Sequence, residues 1–210
     1  LETWSNLQAH TPDYQITDTD YQSTLNDSLD ALKLAPYNND YRLTAATVMM
    51  WKFQHDTGLT PAERTVLKAG ILDHYRHALK QQPFSPYYYT NYAITKAQLG
   101  DFDADFMAAL QEAHRLGPYE VYVLHSIINL GLYSWPKLDH ASQQLTALAI
   151  DKTLSWDINS IDSQKERALT LSTVGLYRRQ AEVCPLLKVR IEQVQRMCAT
   201  TTPGSAKAHK

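Results

Sequence analysis

Apolar residues recur at helical spacing along most of the chain. Tyr21, Leu25, Leu29 and Leu32 are four, four and three residues apart, which places them on one face of a helix. Comparable stripes follow in later segments, and no stretch alternates between apolar and polar residues for long enough to form a strand. The pattern predicts an all-α protein without a significant sheet.

Proline residues divide these helical segments at a fixed distance from a small residue. The small side chain lets two helices approach closely, and proline cannot continue a helix because it lacks an N–H and clashes with the preceding turn. Such punctuation is typical of helix-turn-helix repeats of about 34 residues. It predicts antiparallel helix pairs stacked as a short solenoid. The residues concerned, five apart in each case, are Ala31 and Pro36, Ala78 and Pro83, and Ala113 and Pro118.

The periodic segments extend over residues 17–199, which predicts a single helical-repeat domain. Residues 1–16 lack clear periodicity and are expected to form an extended lead-in. Residues 200–210 carry no apolar pattern and are expected to be a disordered tail.

Several helix ends are marked in the sequence. Thr60-Pro61-Ala62-Glu63 matches a capping box with proline at the first helical position, which is a strong start signal. Asp40 is expected to cap an earlier helix, and Leu99-Gly100-Asp101 to close a later one. The helix that begins at Ser160 or Asp162 is expected to run to about Val183.

The charge balance and the hydropathy exclude some partners. Twenty basic and twenty-two acidic residues give a formal charge of −2, and no basic stripe suited to nucleic acid is visible. No run approaches eighteen apolar residues, so no membrane span is expected. The sequence starts at Leu1 rather than at Met, which fits removal of a signal peptide or an anchor upstream of Leu1 and fits simple trimming equally well.

With these residues in place, the chain resembles a tetratricopeptide-repeat protein. Leu99-Gly100-Asp101-Phe102, together with Ala104, Ala113 and Pro118, is similar to the family's Leu-Gly turn, small residues in the second helix and closing proline. The likeness covers roughly residues 18–155, and the interval from Gly100 to Pro118 is about one residue longer than is usual in the family. The resemblance implies a right-handed solenoid with a concave binding face and no catalysis.

The whole chain also resembles VpsP-type proteins of bacterial exopolysaccharide operons and the periplasmic helical-repeat tails of O-antigen polymerases and ligases. Those tails share a segment similar to Ala31–Tyr41 here, with the pattern Ala-Leu-x-Leu-Ala-Pro-Tyr-Asn-x-Asp-Tyr. They also share a late pair of cysteines. This resemblance implies a periplasmic or envelope-associated protein that serves surface polysaccharide assembly or export.

Aromatic residues recur after each closing proline. One interpretation is a ladder of tyrosines that stack on sugar rings or on an extended peptide. The other, more common for such rings, is packing between neighbouring repeats. In a tetratricopeptide-like array the concave face comes from the first helix of each pair, here residues 40–55, 86–99 and 119–132. The binding candidates on these helices are Tyr41, Tyr87, Tyr88, Tyr89, Asn91, Tyr92, Lys96 and Tyr122.

Signatures of catalysis and of cofactor binding are missing from the sequence. No Gly-rich phosphate loop or Gly-x-Ser-x-Gly elbow occurs. His74 and His77 have a spacing that could hold a metal, but they lack a nameable third ligand and are expected to face solvent. His125 is expected to be isolated. We therefore expect no enzyme activity, no cofactor and no metal.

Cys184 and Cys198 leave the question of a disulfide open. An even cysteine count at the end of an exported chain favours a bond. One straight helix over residues 186–198 would hold the two about 20 Å apart, beyond disulfide reach. A bond therefore requires the chain to turn back between them, near Lys188–Arg190.

The sequence favours a non-enzymatic interaction or scaffold domain whose partner is a protein or the polysaccharide-assembly machinery. One alternative is a glycan-binding or glycosyl-transfer accessory module. A second alternative is a cytoplasmic protein-binding adaptor.

Overall fold

The computed structural model describes residues 17–156 and 161–199. The expected lead-in over residues 1–16, the connector at 157–160 and the expected tail over 200–210 lie outside the described residues.

Helices are the secondary structure of the described residues, which contain no strand, so the prediction of an all-α protein is confirmed. Most helices that are neighbours in the sequence pack against one another. The helices are α1 (Asp18–Leu34), α2 (Asn39–His55), α3 (Pro61–Gln81), α4 (Pro86–Gln98), α5 (Ala104–Leu116), α6 (Val121–Ser134), α7 (His140–Leu154), α8 (Ile161–Tyr177), α9 (Gln180–Val183) and α10 (Glu192–Ala199), with short 3-10 turns at Trp135–Lys137 and Cys184–Leu186.

The chain divides into two compact units, with the division between Tyr88 and Tyr89. The sequence had predicted one domain over residues 17–199. The division falls inside α4, so this helix begins in the first unit and ends in the second. None of the helices in the described part of the chain is long and apolar enough to cross a membrane.

In the first unit, α2 packs against both α1 and α3. Small buried residues let these helices approach, and Ala45, Ala46 and Ala78 are fully buried. Larger side chains, including Tyr21 and Ile71, fill the remaining core. The close approach explains why alanine stands where a larger residue would separate the helices.

In the second unit, α6 is the central element and packs against α5, α7 and α8. Its sequence is apolar on most faces, and Leu124, Ile127 and Ile128 are fully buried. Phe106 from α5 and Ile150 from α7 complete the same core. A mostly apolar helix is expected at the centre of a helical unit, where most of its surface meets other helices.

The helix ends follow local sequence signals in most places. Thr60 and Glu63 form the predicted capping box, with Pro61 at the first helical position. Gly100 ends α4 with a φ of 78°, a left-handed conformation that costs glycine nothing. The α2 cap was predicted wrongly: Asn38 performs this role, because its side chain accepts from the backbone N–H of Asp40 and Tyr41.

The predicted end of α8 near Val183 was also wrong. The helix ends at Tyr177, and Arg178 follows with a φ of 53°, in the left-handed region that an α-helix cannot continue through. The short helix α9 then starts at Gln180. This break turns the C-terminal segment back toward the rest of the second unit.

We expect Gly131→Ala to destabilise the second unit by about 1–3 kcal/mol, or more, because it overpacks the contact between α6 and α7. A Cβ at Gly131 would lie 2.1 Å from Oγ1 and 2.8 Å from Cβ of Thr146. Gly175→Ala is the matched control, since a Cβ there meets nothing within 4 Å. Thermal unfolding should show a lower Tm for Gly131→Ala alone; equal Tm values would contradict the close α6–α7 contact.

Candidate functional site

Three loops after α1, α3 and α5 have the same backbone geometry, and we call residues 35–38, 82–85 and 117–120 the proline loops. In each loop the residue before the proline adopts a φ between −133° and −130°, and its N–H donates to the carbonyl of the alanine four residues earlier. The carbonyl of the residue before the proline in turn accepts the N–H of the residue three positions further along the chain. The alanine-to-proline spacing that recurs in the sequence therefore corresponds to a recurring backbone conformation and hydrogen-bond pattern. The later donors and their acceptors are Asn38 and Ala35, Ser85 and Gln82, and Glu120 and Gly117.

The ring next to each proline points into solvent. The exposed fraction is 85% for Tyr37, 80% for Phe84 and 73% for Tyr119. Three large rings left in water at equivalent positions do not contribute to a core. Packing between repeats therefore does not explain them, and they are available as contact surface. Three of the predicted candidates that follow these rings are also exposed, namely Tyr41, Tyr87 and Tyr122.

A basic residue also recurs four positions before each of these rings. Lys33, Lys80 and Arg115 occupy these positions in the last turns of their helices, and all three are exposed. Lys33 pairs with Asp30 and Arg115 with Glu112, at 2.8 and 2.7 Å, but exposed pairs of this kind contribute little to stability. The spacing Ala-x-Lys/Arg-x-x-Pro-Tyr/Phe was present in the sequence, and the sequence analysis missed its basic member.

Two of the proline loops lie side by side in the first unit. Gln81, at the end of α3, donates from Nε2 to the carbonyl of Pro36 at 3.2 Å, and Arg42 donates to the same carbonyl at 3.1 Å. Leu34, the last residue of α1, is exposed beside Tyr37. This end of the first unit therefore presents an apolar and aromatic surface.

Helix α4 holds most of the predicted candidates, and the structure separates them by exposure. Tyr88, Tyr89 and Asn91 are partly exposed. Tyr92 is 5% exposed and Lys96 is 1% exposed, so the prediction that these two side chains lie on an accessible face is corrected. The helical spacing placed them on one face correctly, but that face is the buried one.

Lys96 is held by an ion pair within the second unit. Its Nζ lies 2.9 Å from Oδ2 of Asp103 and 5.6 Å from the ring centre of Tyr92. Asp103 also caps α5 by accepting the backbone N–H of Phe106 at 3.0 Å. Burial alone would raise the pKa of Asp103, but the hydrogen bonds from Lys96 and Phe106 outweigh it and lower this pKa. Lys96 therefore has a structural partner rather than a ligand.

Asn91 and Tyr122 connect α4 to α6. The Tyr122 hydroxyl donates to Oδ1 of Asn91 at 2.5 Å. Burial raises the pKa of Tyr122, so its hydroxyl stays protonated and can act as this donor. The two residues, from separate predicted helices, thus form one polar position at the surface of the second unit.

The second unit also contains a cleft that the sequence analysis missed. Its cavity volume is about 840 Å³, and it lies between α5, α7 and the segment 185–190. Such a volume is typical of sites for small molecules or short peptides. The lining residues come from three distant parts of the chain, namely Gln111, His114, Ala141, Gln144, Leu145, Ala147, Leu148, Asp151, Pro185, Leu186, Leu187, Lys188 and Arg190.

The segment that forms one wall of this cleft is fixed at two points. Cys184 and Cys198 are joined by a disulfide, with their Cα atoms 5.8 Å apart. The carboxylate of Asp151 accepts the backbone N–H of Lys188 at 2.8 Å and that of Val189 at 3.0 Å. Residues between Leu187 and Ile191 are not helical, which lets the chain turn back as the bond requires.

His77 is exposed as predicted, but two other histidines are placed differently from the sequence prediction. His74 is half-buried rather than solvent-facing, and burial together with nearby Arg42 lowers its pKa. His125 is not isolated, because its Nε2 contacts the carboxylate of Glu166 on α8. Within residues 17–156 and 161–199, no group of three or more His, Cys, Asp or Glu side chains could hold a metal ion.

The chain matches no protein-family model and no curated protein. The likeness to tetratricopeptide repeats and to polysaccharide-operon proteins therefore stays a prediction.

Proposed function

We propose that this chain is a non-enzymatic interaction domain that serves surface polysaccharide assembly or export at the cell envelope. In this proposal its fold is a right-handed, tetratricopeptide-like solenoid of antiparallel helix pairs. The observation that carries the proposal is the repeated proline loop with its solvent-facing ring. A protein that leaves aromatic surface in water at three equivalent positions commonly uses that surface for contact.

The disulfide supports the location outside the cytosol. Structural disulfides persist in oxidising compartments such as the periplasm and are rare where thiols are kept reduced. Cys184 and Cys198 are joined, and the described residues contain no free cysteine. This supports an envelope-associated protein over the cytoplasmic adaptor.

The exposed rings also favour a second candidate, a glycan-binding module. Tyr37 and Tyr119 each offer a flat apolar face with a hydroxyl at its edge, and Tyr119 carries Lys152 Nζ at 4.4 Å from its ring centre. Such rings can cover the apolar face of a sugar while their polar groups bind its hydroxyls. In this case the polysaccharide itself would contact the proline loops.

We expect the triple variant Tyr37→Ser, Phe84→Ser and Tyr119→Ser to reduce surface polysaccharide when it replaces the wild-type gene in the source organism. Binding to the partner should weaken about tenfold or more, since aromatic residues dominate contact energies. The Tm should change little because all three side chains are exposed. The measurement is cell-surface polysaccharide yield, with the Tm of each purified protein.

A triple variant at exposed apolar residues outside the loops is the control, namely Val66→Ser, Ile161→Ser and Leu176→Ser. If deletion of the gene leaves the yield unchanged, the polysaccharide role is lost. If deletion reduces the yield but the loop variant does not, the role remains and the loops are not its contact surface. Direct binding of purified polysaccharide, lost in the loop variant, would select the glycan-binding alternative.

A further inference from the structure

The cleft of the second unit has an aliphatic floor. Leu145 and Leu148 from α7 line it together with Leu186 from the disulfide-bonded segment. The described lining residues include no Phe, Tyr or Trp, and the imidazole of His114 is their single aromatic ring. Leu148 is 40% exposed, so its side chain is accessible to a ligand in the cleft. A largely aliphatic floor suits aliphatic side chains better than sugars or nucleobases, which bind best to broad aromatic stacking surfaces.

The rim of the cleft is made of amides and cations. Gln111 and Gln144 each carry a side-chain amide, a group that can both donate to and accept from a peptide backbone. Lys188 and Arg190 line the opposite wall and are exposed. The rim therefore matches a ligand that has both backbone amides and an acidic group.

The remaining ionisable groups leave this positive charge in excess. The Asp151 carboxylate is already engaged by the two backbone N–H groups of Lys188 and Val189. Burial, reinforced by Lys152, lowers the pKa of His114, so this imidazole is neutral at neutral pH. Two cations against one engaged carboxylate favour an anionic ligand.

The wall that carries the cations is preorganised. The disulfide holds one end of the segment and Asp151 holds its middle, and Arg190 Nη1 donates to the carbonyl of Leu187 at 2.6 Å. A wall held in this way loses little conformational entropy when a ligand binds.

The geometry points to a peptide-docking site: this cleft binds a short extended segment of a partner protein that carries aliphatic side chains and at least one acidic residue. The chain's own C-terminal residues are a poor match, because residues 200–210 contain Lys207 and Lys210 and no acidic side chain. The cleft contains no residue of the proline loops. The peptide-docking proposal can therefore be tested independently of the function proposed above.

The test is a selection of a random octapeptide library on the purified, oxidised chain, followed by affinity measurement of the enriched peptides by fluorescence anisotropy. We expect enrichment of sequences that combine Leu, Ile or Val with Asp or Glu. Leu148→Asp should weaken their binding at least about tenfold, because it places a charge on the apolar floor. The matched control is Leu169→Asp, an exposed leucine outside the cleft.

A charge reversal tests the rim. Lys188→Glu should shift the enriched sequences from acidic toward basic, since the Lys188 side chain is exposed at the rim. Lys165→Glu, an exposed lysine on α8, should leave the selection unchanged. Circular dichroism melts of all four variants verify that each is folded.

Three results would overturn the proposal. The first is that no enriched peptide distinguishes the wild type from Leu148→Asp. The second is an enriched set without acidic residues, or one that Lys188→Glu leaves unchanged. The third is binding of dodecyl phosphate, with the same dependence on Leu148, in the absence of any peptide binding, which would make the cleft a lipid site.

Discussion

Asp103→Ala is expected to lower the free energy of unfolding by about 1.5–3 kcal/mol, because it removes the charged hydrogen-bond partner of the Lys96 ammonium. The Asp103 side chain is itself 55% exposed, so the loss stays below that of a fully buried ion pair. Lys96 is 1% exposed, and its Nζ pairs with Asp103 at 2.9 Å. The same substitution removes the cap of α5, which adds about 1 kcal/mol. Urea unfolding at neutral pH, followed by circular dichroism, measures the effect.

A double variant separates the ion pair from the cap. Lys96→Met with Asp103→Ala removes both charges, so it should be clearly more stable than Asp103→Ala alone. The destabilisation caused by Asp103→Ala should also depend on pH. Because the pKa of Asp103 is lowered in the folded state, its contribution is present above the pKa of the unfolded chain and is lost as the pH falls through the folded value. Equal stability of the single and the double variant would show that Lys96 does not need this partner.

Loss of the disulfide is expected to cost about 3 kcal/mol, the value typical of a loop of about 15 residues. Cys184 and Cys198 are 14 residues apart, and the loop between them contains the wall of the cleft. The double variant Cys184→Ser and Cys198→Ser should therefore unfold at a lower temperature than the wild type. It should also bind the peptides of the cleft more weakly, because the wall then loses one of its two fixed points.

Dithiothreitol provides the control for this experiment. It should lower the Tm of the wild type to that of the double serine variant and leave the variant itself unchanged. A wild type whose Tm does not respond to the reductant would mean that the bond contributes nothing to the stability of this segment.

Much of the fold could be predicted because its signals are local. The capping box at Thr60 and Glu63 and the Leu-Gly closure at Gly100 depend on neighbouring residues only. The end of α8 could not be found in this way. Arg178 adopts a left-handed conformation that is rare for arginine, and nothing in its sequence neighbourhood requires it.

The candidate site was predicted less well because it depends on contacts between distant segments. Helical spacing placed Tyr92 and Lys96 on one face, but spacing alone does not tell which face is buried. The cleft was missed for the same reason. Gln111, Leu148 and Lys188 belong to three different elements, and only the packing of those elements brings them to one cavity.

In the proline loops, the residues that set the backbone differ from the exposed rings to which we attribute binding in the proposed function. The loop backbone is set by the alanine, the helix-closing residue and the proline, whereas the ring that follows them points into water. That ring can therefore change from tyrosine to phenylalanine, as it does at position 84, while the backbone hydrogen bonds of the loop stay the same. If the proposed function holds, substitutions at these three rings would change what the domain binds while the loop backbone stays the same.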